Sequence, residues 1–186
     1  MIISNSCLAA NIYKKYNVQF NHPFIWNFIY LHDYIKLIEN FANINFLNIT
    51  NAGTFIRNLV RHNQENNKLY WVTRECYFIE IDSYIKIYFS HYNKYSLNEV
   101  KEKYIRRANR INKNDNILFT YNFINHFNYE YEHNLYQKLY ELKNKYNILI
   151  IDDINNINHY DFNTAFFCKI NKEIINDYKE IFEKYL

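Results

Sequence analysis

The first candidate for chemistry is a run of short polar side chains near the amino end, at Ser4, Asn5, Ser6 and Cys7. The run follows two apolar residues and precedes a helical pattern, so it is predicted to join a short buried strand to a helix. Backbone N–H groups and the helix dipole at such a junction attract phosphate. Cys7 at a helix start would have a lowered thiol pKa and could act as a nucleophile. The alternative is that the polar side chains cap the helix and Cys7 fills a small space in the core.

The second candidate is His91, which together with Tyr92 follows a predicted strand that ends at Phe89. The unperturbed pKa of an imidazole is about 6.5, so His91 is the candidate general base or acid. No carboxylate lies close by in the sequence to orient the ring. The alternative is a structural histidine without a part in chemistry.

The third candidate is a basic stripe on a helix predicted over residues 97–111. Lys103, Arg107 and Arg110 are spaced four and three residues apart, so they share one helix face. Arginine recognises phosphate and carboxylate groups with two parallel hydrogen bonds. Arginines are notable in a chain whose abundant Asn, Ile, Lys and Tyr reflect A/T-rich codons. The stripe predicts an anion site, and the alternative is a solvated face whose cations pair with acidic neighbours.

Two adjacent carboxylates, Asp152 and Asp153, follow the apolar run at residues 148–151. Paired carboxylates at a strand end can bind Mg²⁺ or Mn²⁺ beside a diphosphate. We favour a turn that ends the strand, because the spacing differs from the D-x-D of many nucleotide-sugar transferases. No metal site is predicted, and the sequence identifies no cofactor.

Several classes of protein are disfavoured by what the sequence lacks. Its one glycine, Gly53, cannot form the glycine-rich phosphate loops of dinucleotide-binding and P-loop proteins, and no G-x-S-x-G hydrolase motif is present. The three cysteines are widely spaced and include no C-x-x-C pair, which disfavours a zinc site or a disulfide framework. A net charge of +3 is too small to favour a nucleic-acid partner.

A cytoplasmic location is expected. The amino end shows no basic region followed by a long apolar one, which a secretory signal would need. The most apolar segment, residues 24–31, is far shorter than the roughly 20 residues that cross a bilayer, so no membrane span is predicted.

The elements that would position these candidates alternate between strands and helices. Period-two alternation over residues 77–81 and 85–89 predicts an antiparallel hairpin with its turn at 82–83. An S-x-x-E capping box at Ser96 and Glu99 predicts the start of the basic helix. Further strands are predicted at 2–3, 45–50, 117–121, 147–151 and 164–170, and further helices at 8–16, 24–41, 54–62, 129–145 and 172–185.

This order of elements predicts one α/β domain over residues 1–186. We expect a mixed, largely parallel sheet with helices on both faces and an antiparallel hairpin in the middle. Functional groups of such sheets gather beyond the carboxyl ends of the strands. The polar residues at 4–7, 91–92 and 152–153 are predicted to occupy such positions.

Three segments together resemble a known family. They are an I-I-S-N-x-C opening at residues 2–7, a turn at 22–24 before a long helix, and an F-x-H-Y block at 89–92. The last block continues through Tyr104, Arg107, Arg110, Ile111, Asn112, Asp115 and Asn116. In combination and order they are similar to domain of unknown function nineteen-nineteen, whose members are often labelled exopolysaccharide biosynthesis proteins. The resemblance implies a role in building a bacterial surface polysaccharide, and it supplies no reaction.

The leading hypothesis is a transferase of surface-polysaccharide assembly that uses a nucleotide sugar or a sugar phosphate. Arg107 and Arg110 would hold the anion with the help of residues 4–7, and His91 would be the general base on a sugar hydroxyl. The motif block adds Tyr92, Asn112 and Asn116 to the predicted substrate-binding residues. The alternative is a non-catalytic accessory protein that docks onto the polysaccharide machinery.

Overall fold

A computed structural model describes residues 1–63, 68–89, 92, 94–122, 133–151 and 176–186. Over these residues the chain forms a parallel sheet of three strands, an antiparallel sheet of three strands and five helices. The predicted mixed α/β class is therefore confirmed. The parallel strands and the predicted hairpin lie in two different sheets of the described chain.

The parallel sheet has the order β1–β5–β6, with β1 at Ile2–Ser4, β5 at Leu118–Asn122 and β6 at Ile148–Ile151. Every residue of β1 and β5 is buried. Strands of a parallel sheet that is covered on both faces need such continuous burial, and both strands accordingly begin with two apolar residues. The pairing aligns Ser4 with Thr120, so the carboxyl ends of β1 and β5 meet at one edge.

The antiparallel sheet has the order β2–β3–β4, with β2 at Ile49–Asn63, β3 at Lys68–Ile81 and β4 at Ile85–Phe89. The alternating pattern of β4 buries its odd-numbered residues and leaves Lys86 and Tyr88 half-buried on the other face. The predicted turn between β3 and β4 is confirmed. Asp82 and Ser83 have φ values of 51° and 64°, the positive pair that suits a tight hairpin.

The helix predicted over residues 54–62 is wrong, because β2 continues through Asn63 and pairs with β3 along its length. Gly53, interpreted from the sequence as a turn residue, lies inside β2 opposite Phe78. A Cβ atom at Gly53 would lie 3.1 Å from Cε1 of Phe78. The glycine therefore makes room for a phenyl ring, and the aromatic and β-branched residues after it favour an extended backbone.

The helix predicted over residues 24–41 is too long, since α2 spans only Leu31–Asn40. The backbone of Phe28 instead pairs with Tyr88 of β4, with N–H to O distances of 2.9 and 3.0 Å in the two directions. Trp26 has a φ of 60°, which a helix does not allow. Apolar residues at helical spacing therefore pack here along an irregular segment held by a strand.

The remaining helices are α1 at Leu8–Lys15, α3 at Leu97–Ala108, α4 at His133–Leu142 and α5 at Lys179–Glu183. The capping box of α3 is confirmed: Ser96 Oγ accepts the N–H of Glu99 at 3.3 Å, and Glu99 Oε2 accepts the N–H of Ser96 at 2.7 Å. The helix ends three residues before the predicted Ile111. The strand predicted at 164–170 lies outside the described residues.

Two apolar clusters form the core. The larger one joins α2, α3 and α4 to the inner faces of both sheets. The smaller one joins β1 and α1 to Ile151 and to the fully buried Phe182 of α5. Among the described helices, none is long and apolar enough to cross a membrane.

Candidate functional site

A cavity of about 410 Å³ opens between the segment before α2, the residues after β4 and one face of α3. Its lining residues are Trp26, Tyr92, Tyr95, Lys103 and Arg107. Three aromatic rings and two cations thus meet in one concave site, and none of these lining residues is a carboxylate. Such a site carries a positive field and offers flat apolar surfaces beside it.

Arg107 is fixed at the cavity by the residues around its guanidinium group. It donates a hydrogen bond of 2.8 Å to the hydroxyl of Tyr92, and its Cζ atom lies 5.4 Å from the ring centroid of Phe20. A guanidinium group has five N–H donors, so one bond to Tyr92 leaves the fork able to bind an anion. Arg107 and Tyr92, both predicted as substrate-binding residues, are therefore brought together.

Lys103 lies one helical turn before Arg107 and faces the same cavity. Its Nζ atom lies 3.0 Å from the ring centroid of Tyr95 and 5.5 Å from that of Tyr92, which is the geometry of cation–π contacts. The ammonium group lowers the pKa of Tyr95 by hydrogen bonding and by its charge. The main chain of Tyr95 is held in turn, because its carbonyl accepts a 2.7 Å bond from Tyr77.

Trp26 enters the cavity from a strained piece of backbone. A bulky residue rarely adopts a positive φ such as its 60°, and strain of this kind costs of order 1–3 kcal/mol. Strained residues concentrate at functional sites, where the surrounding structure holds them in place. The sequence contained no signal for this backbone conformation, and Trp26 was not predicted as a site residue.

Residues 4–7 form a buried polar turn between β1 and α1. Ser4 Oγ accepts the N–H of Ser6 at 3.2 Å, and Ser6 Oγ accepts the N–H of Leu8 at 3.4 Å. Each serine thus binds the N–H two residues on, while Cys7, the N-cap residue of α1, makes no side-chain cap hydrogen bond. Cys7 is half-buried, with its Sγ atom 4.0 Å from the carbonyl oxygen of Asn27.

Asn5 links β1 to the end of β5. Its Oδ1 atom accepts the N–H of Asn122 at 2.9 Å, and its Nδ2 atom donates to the carbonyl of Asn122 at 3.2 Å. Asn27 lies next in sequence to Trp26 of the cavity, and its Oδ1 atom is buried without a hydrogen-bond partner. The polar edge of the parallel sheet therefore adjoins the cavity through residues 26–27, although residues 4–7 do not line it.

Three other predicted residues lie in different surroundings. Arg110 donates a 2.9 Å bond to the carbonyl of Phe20, and Asn112 Oδ1 accepts the N–H of Asn114 at 3.2 Å in the turn after α3. Asn116 precedes β5, and its carbonyl accepts a 2.7 Å bond from the ammonium group of Met1. Asn116 is thus at the opposite end of β5 from Asn122.

The predicted general base, His91, lies outside the described residues, as do Asp152 and Asp153. Among the residues that the structure does describe, no group of three or more His, Cys, Asp or Glu side chains could hold a metal ion. Lys103 belongs to the predicted basic stripe, whereas Tyr95 was not among the predicted residues. The spacing of Lys103 and Arg107 predicted that they share a helix face, but nothing in the sequence indicated that Tyr95 lies against that face.

A family model described as Domain of unknown function (DUF1919) matches residues 1–122. The match contains all five residues that line the cavity, whereas α4, β6 and α5 lie beyond it. No curated protein matches the sequence.

Proposed function

The chain belongs to the DUF1919 family, and we propose that its cavity binds a sugar that carries a phosphate or diphosphate group. The observation that carries this proposal is the meeting of Lys103 and Arg107 with three aromatic rings in one cavity. The ligand would be a nucleotide sugar or a sugar phosphate. In the proposed role the protein is a transferase of surface-polysaccharide biosynthesis.

The two cations support an anionic ligand. Lys103 and Arg107 lie four residues apart on α3, so their charged groups reach the same side of the helix. Hydrogen bonds between ionised groups are about twice as strong as neutral ones, and phosphate oxygens fit the fork of a guanidinium group. None of the lining residues is a carboxylate that would repel an anion directly.

The three rings support a ligand with a sugar or base attached to the phosphate. The face of an aromatic ring carries partial negative charge, so the C–H groups of a sugar or the plane of a base can stack on it. Trp26, Tyr92 and Tyr95 supply these faces next to the cations. Inorganic phosphate alone would leave them uncovered.

The proposed reaction is transfer of the sugar to a hydroxyl group. The acceptor oxygen forms a bond to the anomeric carbon while the bond from that carbon to the phosphate oxygen breaks, and the phosphate leaves with the electron pair. Lys103 and Arg107 would stabilise the charge that develops on the leaving group. The hydroxyl proton would pass to His91, which precedes Tyr92 in the sequence.

Binding is tested by thermal shift with glucose 1-phosphate, UDP-glucose, UDP, glucose and inorganic phosphate. A ligand at a hundredfold excess over Kd stabilises the folded state by about 2.7 kcal/mol, which is readily measured. We expect stabilisation by a phosphate-bearing sugar, and a Kd raised about tenfold or more in Arg107→Met and in Lys103→Met. Arg106→Met is the matched control, because Arg106 is exposed on the same helix.

Two results would count against the proposal. If a ligand stabilised Arg106→Met and Arg107→Met equally, the ligand would not bind in the cavity. No shift with any ligand, in a folded protein, would favour the accessory-protein hypothesis. Release of UDP from UDP-glucose in the presence of an acceptor, lost in His91→Ala with binding retained, would support the catalytic role.

A further inference from the structure

A cluster of aromatic side chains covers the outer face of the antiparallel sheet, on the opposite side from the core. Tyr88 is at its centre, with ring centroids 4.8 Å from Phe28, 4.8 Å from Phe55 and 6.4 Å from Phe78. All four rings are half-buried. We name these four residues the outer aromatic face.

The ring of Phe78 has a neighbour on each of two sides. Phe78 and Gly53 are cross-strand partners, and the ring of Phe78 lies so close to the glycine that a Cβ atom there would be 3.1 Å from it. On its other side, Nζ of Lys86 lies 4.9 Å from the centroid of Phe78. The ring of Phe78 is therefore packed between Gly53 of the neighbouring strand and the ammonium group of Lys86.

A second cleft, of about 230 Å³, borders the outer aromatic face at Tyr88. Its charged residues occur as neighbours of opposite sign: Lys86 Nζ is 3.6 Å from Glu80 Oε2, and Lys36 Nζ is 3.6 Å from Asp33 Oδ1. Nε2 of His32 is 3.1 Å from the second oxygen of Asp33. Acceptors and donors thus alternate around this cleft, in contrast to the cavity with its two cations.

These features specify the chemistry of an occupant. An anion would meet Glu80 and Asp33, and an apolar helix would strip water from ion pairs at a cost in free energy. A neighbouring pair of hydroxyl groups, however, can donate one hydrogen bond to a carboxylate and accept another from an ammonium group. The C–H face of the same sugar ring matches the negative face of an aromatic ring.

We propose that the outer aromatic face, together with the cleft formed by Glu80, Lys86, Asp33 and Lys36, is a binding site for an uncharged saccharide chain. The site is on the opposite side of the sheet from the inner, core-facing residues and does not depend on the ligand of the cavity. The half-buried rings of the outer aromatic face would contact the C–H groups of sugar rings, and the Glu80–Lys86 pair would bind hydroxyl groups.

The test is native gel electrophoresis of the full chain through gels that contain soluble starch, dextran, mannan or galactomannan. We expect at least one polysaccharide to retard the wild-type chain. The double variant E80Q/K86M should bind that polysaccharide about tenfold more weakly, because the charged donors and acceptors are lost. The double variant E183Q/K179M is a matched control, since it removes an ion pair of 3.7 Å on α5.

Arg107→Met separates this proposal from the one for the cavity, because it should weaken binding of the phosphate-bearing sugar and leave the retardation unchanged. Unaltered mobility of the wild type in every gel would overturn the saccharide proposal. Equal retardation of the two double variants would also overturn it. A dimer in light scattering that E80Q/K86M dissociates would assign the face to a second copy of the chain instead.

Discussion

His22 is a fully buried imidazole close to the cavity. Its Nδ1 atom accepts the N–H of Phe24 at 3.2 Å, and its ring centroid lies 5.4 Å from that of Tyr13. Burial lowers the pKa of His22 to about 3, and the charge of Arg107 acts in the same direction. The side chain is therefore neutral in the folded protein at ordinary pH.

Lowering the pH should destabilise the fold through His22. Its pKa is about 3 when folded and about 6.5 when unfolded, so between these values the unfolded chain binds a proton that the folded chain excludes. The stabilisation is present above pH 6.5 and is lost as the pH falls toward 3. Urea unfolding at pH 5 should give a free energy about 2 kcal/mol lower than at pH 8 from this group.

His22→Asn is the control for this pH dependence. Asparagine retains a side-chain oxygen for the N–H of Phe24 and does not titrate in this range. In this variant, the difference in the free energy of unfolding between pH 5 and pH 8 should be smaller by the amount that His22 contributes. An unchanged difference in the variant would contradict the assignment.

The sequence located part of the candidate site at the level of single residues. Tyr92 and Arg107 were predicted and meet in the cavity, whereas Arg110 and Asn116 were predicted and lie in other surroundings. Helical spacing predicts which side chains share a face but does not predict what packs opposite each turn. Arg107 and Arg110 are separated by less than one helical turn. Arg110 nevertheless binds a main-chain carbonyl, whereas Arg107 binds the hydroxyl group of Tyr92.

Helix α3 is the element on which the cavity depends, because it carries both cations. Its start is fixed by the reciprocal hydrogen bonds of Ser96 and Glu99. The pKa of Glu99 is lowered by its hydrogen bonds to the main chain and side chain of Ser96, so the carboxylate form is favoured. A change at this cap should therefore loosen the first turn of the helix, before Lys103 is reached.

Ser96→Ala should destabilise the protein by about 1 kcal/mol, since the N–H of Glu99 loses its acceptor. In a chain of this length the melting temperature should fall by about 3 °C. Ser96→Thr retains the hydroxyl group and should melt close to the wild type. Calorimetry of the two variants checks the prediction, and equal melting temperatures would exclude a role for the cap.

Helices and strands were predicted correctly where the residues that stabilise them are close together in the sequence. The β3–β4 hairpin and the α3 cap involve residues only a few positions apart, and both were predicted. The segment at 54–62 was misassigned although its partner β3 follows it directly, because its own residues do not alternate regularly between apolar and polar. The segment before α2 failed for a different reason, since Phe28 is held by the distant Tyr88.

At the scale of the whole molecule, the two ends of the described chain pack against each other. Phe182 of α5 is fully buried in the cluster that contains Ile2 and Leu8, and the ammonium group of Met1 donates a 2.7 Å bond to the carbonyl of Tyr185. Part of the core beneath β1 is therefore supplied by residues beyond the family match at 1–122.

Phe182→Ala should destabilise the protein by about 3–5 kcal/mol, because it leaves a cavity in this cluster. The melting temperature should fall by about 10 °C. Ile181→Ala is the control, since Ile181 is 39% exposed on the same helix and should change stability by less than about 1 kcal/mol. Similar melting temperatures for the two variants would show that α5 contributes little to the core.

The pairing of β1 with β5 also sets the order in which the sheets can form during synthesis. Asn5 and Asn122 are 117 residues apart in the sequence, so at 5 to 20 residues per second β5 is made about 6 to 23 s after β1. The β3–β4 hairpin needs no such delay. The nascent chain thus carries an apolar strand without its partner for seconds, and in that interval an aggregation-prone edge is open to capture by a chaperone.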